Sequence, residues 1–191
     1  MSDETTSRPG PMPSAILTPR LRLVRWAIHD AEELRAVLDA SDAHLRPWIP
    51  FMRHEPQSLE ATREELAARA VAFERGESYR YAVRPLESTS LVGEVLILAR
   101  DDAPSGHLEL GYWVTPSAEG MGYATEAARG LLSAARAELP VTAIDLLCDV
   151  RNARSEGVAR RLGAVKIGEE AAPSLSTDAD EDVLGRWRLA L

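Results

Sequence analysis

The sequence contains a single cysteine, Cys148, so no disulfide can form within the chain. A chain without disulfides is typical of a reducing compartment, which predicts a cytoplasmic protein. Cys148 lies within the apolar run of residues 143–150. A small thiol in such a run usually belongs to the core, so we expect a buried structural cysteine and not a nucleophile.

Long hydrophobic runs are also missing. No stretch of about 18 apolar residues occurs, so the sequence predicts no membrane span and no membrane partner. The first 14 residues are polar and rich in Pro and Ser, without the basic start and apolar stretch of a signal peptide. We therefore expect a disordered tail over residues 1–14 and a single folded domain over residues 15–191.

Positive charge is scarce, because 30 acidic residues against 22 lysines and arginines give a formal net charge of −8. A chain this acidic lacks the basic surface that nucleic-acid backbones require, so we expect no nucleic-acid partner. Acidity could favour cationic substrates such as amines, although it also serves solubility alone. The four histidines show no ligand spacing with each other or with Cys148, which predicts no metal site.

Hydrophobic periodicity and turn residues predict an α+β fold. Strand patterns occur over residues 20–25, 79–84, 91–99, 108–114, 143–150, 165–169 and 182–189. Helical spacing starts at Asp30 and occurs again over residues 58–75, 123–138 and 154–162. The order is a strand, two helices, three strands, a helix, a strand, a helix and two strands, which predicts a mixed sheet with antiparallel hairpins first.

The most informative segment covers residues 108–127, where a strand leads through a turn with Gly120 and Gly122 into a long helix. The first N–H groups of a helix have no partners within it, and its dipole adds partial positive charge. Glycines also let the chain approach a bulky anion closely. The segment predicts an anion site at residues 116–126, although two glycines also occur in ordinary strand–helix connections. The missing Gly-Lys-Ser/Thr excludes a P-loop, and Thr125 replaces the third glycine of a dinucleotide fingerprint.

Residues 119–124, Glu-Gly-Met-Gly-Tyr-Ala, resemble the acetyl-CoA motif of the GNAT superfamily of N-acetyltransferases, Arg/Gln-x-x-Gly-x-Gly/Ala. Further blocks are similar to its RimJ/RimL-like branch: residues 18–23 to the opening strand, 45–50 to a Trp-containing substrate loop, 109–114 to the central block, and 152–163 to the second cofactor helix. The resemblance spans about residues 17–190. It implies a mixed, largely antiparallel central sheet of about seven strands, flanked by about four helices.

The resemblance implies acetyl-CoA as co-substrate, with no metal. Backbone groups of the motif and of the preceding strand would hold its diphosphate and its pantetheine arm. Thr125 would add a hydroxyl donor, and Asn152 would touch pantetheine. The implied cofactor-binding residues are Trp113, Val114, Glu119, Gly120, Met121, Gly122, Tyr123, Ala124, Thr125, Asn152 and Ser155. Glu119 departs from the family's Arg/Gln, and its carboxylate would repel a diphosphate if it pointed inward.

Direct acetyl transfer needs a neutral amine, a polarised carbonyl and a proton for the leaving thiolate. Glu109 is the candidate general base, directly or through water; the alternative is a structural Glu that pairs with an arginine across the sheet. Glu94 on the preceding strand is a second candidate carboxylate. Ser155 is the acid or thiol-orienting group that the resemblance implies; the alternative is helix capping, shared with Asn152.

Trp48 and Phe51 lie in the Trp-containing loop and are the candidate substrate-binding residues, although core packing would also account for them. We predict an acetyl-CoA-dependent N-acetyltransferase that moves an acetyl group directly to a primary amine, on a protein N-terminus or a small molecule. The alternatives are a non-catalytic acyl-CoA-binding module and an acyltransferase that uses another donor such as succinyl-CoA. The edge strands of the fold are compatible with a homodimer, and the sequence leaves the oligomeric state open.

Overall fold

The computed structural model describes residues 12–99, 104–173 and 181–191 of the chain. Within these ranges, eight strands form one sheet and four α-helices lie against it. The strands are β1 (Ala15–Leu17), β2 (Leu21–Arg25), β3 (Ser78–Pro85), β4 (Gly93–Ala99), β5 (His107–Val114), β6 (Ala143–Asp149), β7 (Val165–Pro173) and β8 (Glu181–Ala190). The helices are α1 (Ala31–Leu45), α2 (Leu59–Arg75), α3 (Tyr123–Glu138) and α4 (Ala153–Leu162).

The strands lie in the spatial order β1-β2-β3-β4-β5-β6-β8-β7. Neighbouring strands are antiparallel, except that β5 and β6 run parallel. A parallel pair needs a crossover connection, and α3 lies in the connection between β5 and β6. The predicted α+β class, with a mixed and largely antiparallel sheet and four helices, is confirmed over the described residues. The sheet there has eight strands and not seven, because β1 adds a short strand beside β2.

The segment before β2 differs from the expectation. Met12 is buried in the core, and the carbonyl of Pro13 accepts a hydrogen bond from the Tyr81 hydroxyl at 2.7 Å. Residues 12–14 therefore belong to the folded part, and the prediction of a disordered tail is wrong for them. Residues 1–11 of that predicted tail lie outside the described residues. One apolar residue among prolines leaves no periodic signal, so only its tertiary contacts show that this segment is anchored.

Helix boundaries follow local chemistry. The Ser58 hydroxyl accepts a hydrogen bond from the N–H of Ala61 at 3.1 Å, and α2 begins at the next residue. Gly76 and Gly163 follow α2 and α4 in the left-handed conformation, and both helices end at the predicted residues 75 and 162. Across the described ranges, none of the helices combines the length and the apolar composition that crossing a bilayer would require.

The sheet separates two hydrophobic cores. On one face, α3 and α4 pack on the strands through residues that include Leu23, Val95, Leu110, Leu131, Ile144 and Trp187. On the other face, α1 and α2 pack through residues that include Trp26, Leu34, Leu38, Met52, Leu66 and Trp113. Successive strand residues point to opposite faces. Leu110 and Tyr112 therefore face α3 and α4, whereas Glu109 and Trp113 face the other side.

The parallel strands β5 and β6 stay together over only part of their length. The register pairs His107 with Ala143 and ends with Glu109 opposite Asp145. Residues 110–114 of β5 and 146–149 of β6 are in strands but are not paired with each other. We call the gap between these two segments the cleft. Because α3 begins after β5 and α4 after β6, the cleft opens toward the starts of both helices.

Candidate active site

The turn between β5 and α3 contains the predicted anion site. A short 3-10 segment (Pro116–Ala118) follows β5, and Gly122 then takes the N-cap position of α3 at φ 77°. A side chain is strained at this φ, and no side chain caps the helix. The first N–H groups of α3 are thus available to an outside acceptor, which fits a ligand with a diphosphate.

The side chains of this turn point in different directions. Met121 is exposed, and the Arg20 guanidinium lies 4.9 Å from the ring centre of Tyr123. Thr125 is buried, and its hydroxyl accepts a hydrogen bond from Arg161 Nε at 3.2 Å. The glycines and the alanine of the motif bring only backbone groups. The turn therefore offers an anion its backbone N–H groups. The hydroxyl of Thr125 accepts from Arg161, and its expected role as an added donor stays a prediction.

Backbone groups of β5 face the cleft at alternate residues. The carbonyl oxygen of Trp113 points to β4, where a Cβ on Gly93 would lie 2.2 Å from it. The N–H of Thr115 also points to that side and donates to the residue before β4 at 2.9 Å. Successive strand residues direct their peptide groups to opposite edges, so those of Tyr112 and Val114 face the cleft. The expectation for Trp113 is thereby corrected, because Val114 is the residue whose backbone can pair with an extended ligand.

A buried carboxylate lies beside Trp113. Glu94 is 1% exposed. Its oxygens accept five hydrogen bonds of 2.7 to 3.1 Å, from Trp26, Arg69, Trp113 and twice from Arg80. Burial raises the pKa of Glu94, but the two arginine charges and the hydrogen bonds from Arg80 and Trp26 outweigh burial and lower it to about 2. A carboxylate this acidic and this fully hydrogen-bonded does not take a proton from an amine, which removes Glu94 as a candidate base.

Ser155 lies on the α4 side of the cleft. Its Oγ is 2.7 Å from the hydroxyl of Tyr112, and its N–H donates to Asn152 Oδ1 at 3.0 Å. The Asn152 side chain therefore caps α4, which is the structural role weighed against contact with pantetheine. The hydroxyl of Ser155 instead reaches Tyr112 of β5, beside the cleft, and its role toward the cofactor sulfur stays a prediction.

Neutral hydroxyl and thiol groups surround Ser155. Burial raises the pKa of Tyr112 to about 12, although its hydrogen bond with Ser155 acts in the opposite direction. Burial also raises the pKa of the Cys148 thiol, and a hydrogen bond with Ser155 opposes that rise. Cys148 is buried, as predicted. Both groups are protonated at neutral pH, so each can donate a hydrogen bond at this level of the cleft.

Glu109 stands at the closed end of the cleft. It is half-buried and is the last β5 residue paired with β6, opposite Asp145. Arg188 of β8 donates two hydrogen bonds of 2.7 Å to Asp145, and the bond from Arg188 lowers the pKa of that carboxyl. At this level of the sheet, an arginine from the neighbouring strand therefore contacts both carboxylate oxygens of Asp145. No group of three or more His, Cys, Asp or Glu side chains, here or elsewhere in the described ranges, is arranged to hold a metal ion.

Glu119, the acid at the first position of the motif, has two charged neighbours. Its Oε1 accepts a hydrogen bond from Arg154 Nη1 at 2.7 Å and lies 3.7 Å from Nε2 of His44. Arg154 is in the first turn of α4, and His44 is in the last turn of α1. Glu119 therefore links the turn to helices on both faces of the sheet, and its carboxylate is paired with a guanidinium.

Trp48 and Phe51 follow α1 in the segment that leads to α2. Trp48 is exposed, whereas Phe51 packs against the core between α1, α2 and the sheet. The contact of His44 with Glu119 brings the end of α1, and so the start of this segment, to the open end of the cleft. Trp48 is thus available to an acceptor, and core packing is observed for Phe51. A substrate-binding role stays a prediction for both.

Tyr112 and Arg154 are site residues that the sequence analysis did not single out. Tyr112 alternates with Leu110, and this spacing was a signal that could have placed it on the face of the cofactor helices. Arg154 offers no such signal, because its partner Glu119 is 35 residues away in the chain.

Comparison with known proteins identifies the family and similar folds. A family model described as "Acetyltransferase (GNAT) domain" matches residues 20–165. The "Putative ribosomal N-acetyltransferase YdaF" of Bacillus subtilis (strain 168) is 28% identical over 147 residues, which are 73% of this chain and 75% of that protein. A RimL ribosomal L7/L12 alpha-N-protein acetyltransferase in complex with coenzyme A has a TM-score of 0.80 at 18% identity, over 94% of this chain and 97% of that one. The microcin C7 self-immunity acetyltransferase MccE, in complex with acetyl-CoA and AMP, has a TM-score of 0.82 at 16% identity, over 95% and 98% of the two chains.

Proposed function

The chain belongs to the GNAT acetyltransferase family and is an acetyl-CoA-dependent N-acetyltransferase, and we propose that it acetylates the α-amino group of a protein. The observation that carries the site assignment is the cleft. An extended pantetheine arm needs a free strand edge, and a diphosphate needs free N–H groups. The cleft offers both in sequence, because the edge of Val114 leads into the uncapped start of α3.

Two observations support a protein amine as the acceptor. Two similar proteins are named as a putative ribosomal N-acetyltransferase and a ribosomal L7/L12 alpha-N-protein acetyltransferase. In this chain, the half-buried carboxylate of Glu109 lies on the sheet face opposite α3 and α4, at the closed end of the cleft, whereas the nearby Asp145 and Asp149 are paired with Arg188 and Arg151. Carboxylates at the edge of a site favour the approach of a cationic amino terminus.

We assign removal of the amine proton to Glu109. An ammonium group must lose a proton before its nitrogen can attack a thioester carbonyl, and a carboxylate at the closed end of the cleft can accept it directly or through one water. Glu109 lies on the sheet face opposite Tyr112 and Ser155. Glu109 thus acts on the incoming amine from one face of the sheet, and Ser155 acts on the leaving thiol from the other face.

We assign stabilisation of the leaving thiolate to Ser155, with Tyr112 holding its hydroxyl in place. The pKa of Tyr112, about 12, is higher than the ordinary thiol value of about 8.5. Net proton transfer from Tyr112 to a thiolate is therefore uphill. The pair acts by donating a hydrogen bond from Ser155 to the sulfur as the C–S bond breaks. The proton that the nitrogen loses on forming the amide passes to solvent, and the released thiolate takes up one proton from solvent, so the step balances.

The charges beside the cleft support acetyl as the transferred group. A succinyl donor would bring a free carboxylate, which needs a cation in the acyl pocket. Arg186 and Arg188 of β8 lie on the same sheet face as Glu109, and they already bind Glu170 and Asp145. Their pairing favours a small, uncharged acyl group.

The acceptor is tested by mass spectrometry with acetyl-CoA and a matched set of amines. The set contains peptides with the N-terminal sequences of ribosomal proteins, the same peptides with a blocked α-amine and an internal lysine, and small polyamines. We expect one acetyl group on peptides with a free α-amine and none on the blocked peptides. Acetylation of the polyamines without any peptide product would contradict a protein acceptor.

We place the reaction in the cytoplasm, where a ribosomal acceptor would be made. A homodimer is a further proposal, and its support is the edge strand β7, whose Val165 and Ile167 are exposed. Light scattering over a range of protein concentrations decides between monomer and dimer.

A further inference from the structure

The ion pair between Glu119 and Arg154 joins the two elements that border the cofactor site. Glu119 belongs to the turn before α3, and Arg154 is the second residue of α4. A cation in the first turn of a helix is disfavoured by the helix dipole, and an exposed ion pair stabilises a fold very little. Arg154 therefore contributes little to the stability of α4, and its position in the first turn calls for another role.

The guanidinium of Arg154 has donors to spare. A guanidinium carries five N–H donors in one plane, a geometry that suits phosphate oxygens. In the part of the chain that the structure describes, Arg154 donates a hydrogen bond from Nη1 to Glu119 Oε1 at 2.7 Å. The side chain of Arg154 is 80% exposed. Glu119 thus holds one edge of the group, and the other edge is open to a ligand.

The same ion pair compensates the negative charge of Glu119 at the first position of the motif. Glu119 lies three residues before the N-cap Gly122, and a bare carboxylate there would repel a diphosphate. Its carboxylate is only 27% exposed, and it lies between Arg154 and His44. The more exposed member of the ion pair is the guanidinium, so the pair presents positive charge to a ligand.

We infer that Arg154 is a phosphate-binding residue of this enzyme and that Glu119 is the residue that positions it. The cation that the acetyl-CoA motif carries at its first position is supplied here by α4. The N–H groups of α3 contact the diphosphate from one side, and Arg154 adds a full charge from the start of α4. This inference rests on the proposed function, because it needs acetyl-CoA in the cleft.

The first test compares two ligands by isothermal titration calorimetry: acetyl-CoA, and acetyl-pantetheine, which lacks the phosphates. The variants are Arg154→Gln and a matched control, Arg75→Gln, which makes the same change in net charge at the exposed end of α2. We expect Arg154→Gln to raise the dissociation constant for acetyl-CoA about tenfold, because a charge-assisted contact to phosphate is lost. The dissociation constant for acetyl-pantetheine should not change, and Arg75→Gln should bind both ligands as the wild type does.

The second test separates positioning from repulsion. In the Arg154→Gln background the carboxylate of Glu119 is uncompensated, so adding Glu119→Gln should recover about threefold of the lost affinity. In the wild-type background, Glu119→Gln removes repulsion and positioning together, and the dissociation constant should stay within about threefold of the wild-type value.

The outcomes distinguish this inference from the proposed function. Wild-type protein that binds acetyl-CoA, together with an Arg154→Gln variant that binds it equally well, would overturn the inference alone. Equal losses for acetyl-CoA and acetyl-pantetheine would also overturn it, because the phosphates would then not be what Arg154 contacts. Wild-type protein that binds no acetyl-CoA would refute the proposed function, and the inference with it.

Discussion

Replacing Glu94 by glutamine leaves two arginines and two indole N–H groups around a neutral amide in the interior. The carboxylate of Glu94 is 1% exposed and accepts five hydrogen bonds. An amide can replace only part of this acceptor capacity, and it neutralises neither arginine. The Glu94→Gln variant therefore measures what the buried charge contributes to the fold.

The pKa of Glu94 gives the magnitude. It lies at about 2, against an ordinary value of 4.5. At about 1.4 kcal/mol per pKa unit, this difference corresponds to about 3 kcal/mol of stability at neutral pH. Removing one partner of a buried ion pair destabilises proteins by about 3–5 kcal/mol. We expect Glu94→Gln to lower the free energy of unfolding by an amount in this range at pH 7.

The same pKa gives the sign of the pH dependence. The folded-state pKa lies below the unfolded-state value, so the contribution is complete above about pH 4.5 and is lost as the pH falls toward 2. The difference in stability between the wild type and Glu94→Gln should therefore shrink by about 2 kcal/mol between pH 6 and pH 3.

Urea denaturation followed by far-ultraviolet circular dichroism at pH 7, 6 and 3 provides the measurement. Glu74→Gln is the control, because this carboxylate is exposed and pairs with Arg25 at the surface. The control should lose no more than about 1 kcal/mol. A Glu94→Gln variant no less stable than the control, or a difference from the wild type that is the same at pH 6 and pH 3, would refute the reasoning.

Three further predictions concern catalysis and packing. Glu109→Gln should slow acetyl transfer about 100-fold and leave the dissociation constant for acetyl-CoA within about twofold; full activity in steady-state assays would exclude Glu109 as the base. Tyr112→Phe and Ser155→Ala should each lower kcat about tenfold, and the double variant should be no slower than Ser155→Ala alone, because Tyr112 acts through Ser155; additive losses would argue for separate roles. Gly93→Ala should lower the free energy of unfolding by about 1–3 kcal/mol, because its Cβ would meet a β5 carbonyl oxygen at 2.2 Å. Gly168→Ala, whose Cβ meets nothing within 4 Å, is the matched strand control and should change the urea midpoint little.

Most of the secondary structure could be predicted because its signals are local. Ser58 and Gly76 set the ends of α2 through contacts with residues only a few positions away. The helix predicted over residues 123–138 coincides with α3, because Gly122 and Pro140 stop the periodic pattern at either end. The anchoring of Met12 could not be predicted in this way, since it depends on core residues far along the chain, and β1 has only three residues, which is too short for a periodic pattern.

The candidate site was predictable in its cofactor turn and less so in its chemistry. The motif at residues 119–124 indicated the anion site at the start of α3. The sequence could not decide between Glu94 and Glu109, because both are carboxylates on neighbouring strands. The donors that disqualify Glu94 come from three other strands or helices and the segment after β2.

By itself, the sequence determined the fold class, the cofactor motif and the ends of the helices. These properties depend on residues that are close together in the chain, because the geometry of helices and strands sets the spacing of their apolar and capping residues. Only the tertiary structure decided what the charged residues of the site do. The pairing of Glu119 with Arg154, the protonated Tyr112 beside Ser155 and the acidic Glu94 each depend on side chains that folding brings together. The energy of a charge or a hydrogen bond is set by its distance to partners and to water, and the linear order of residues specifies neither.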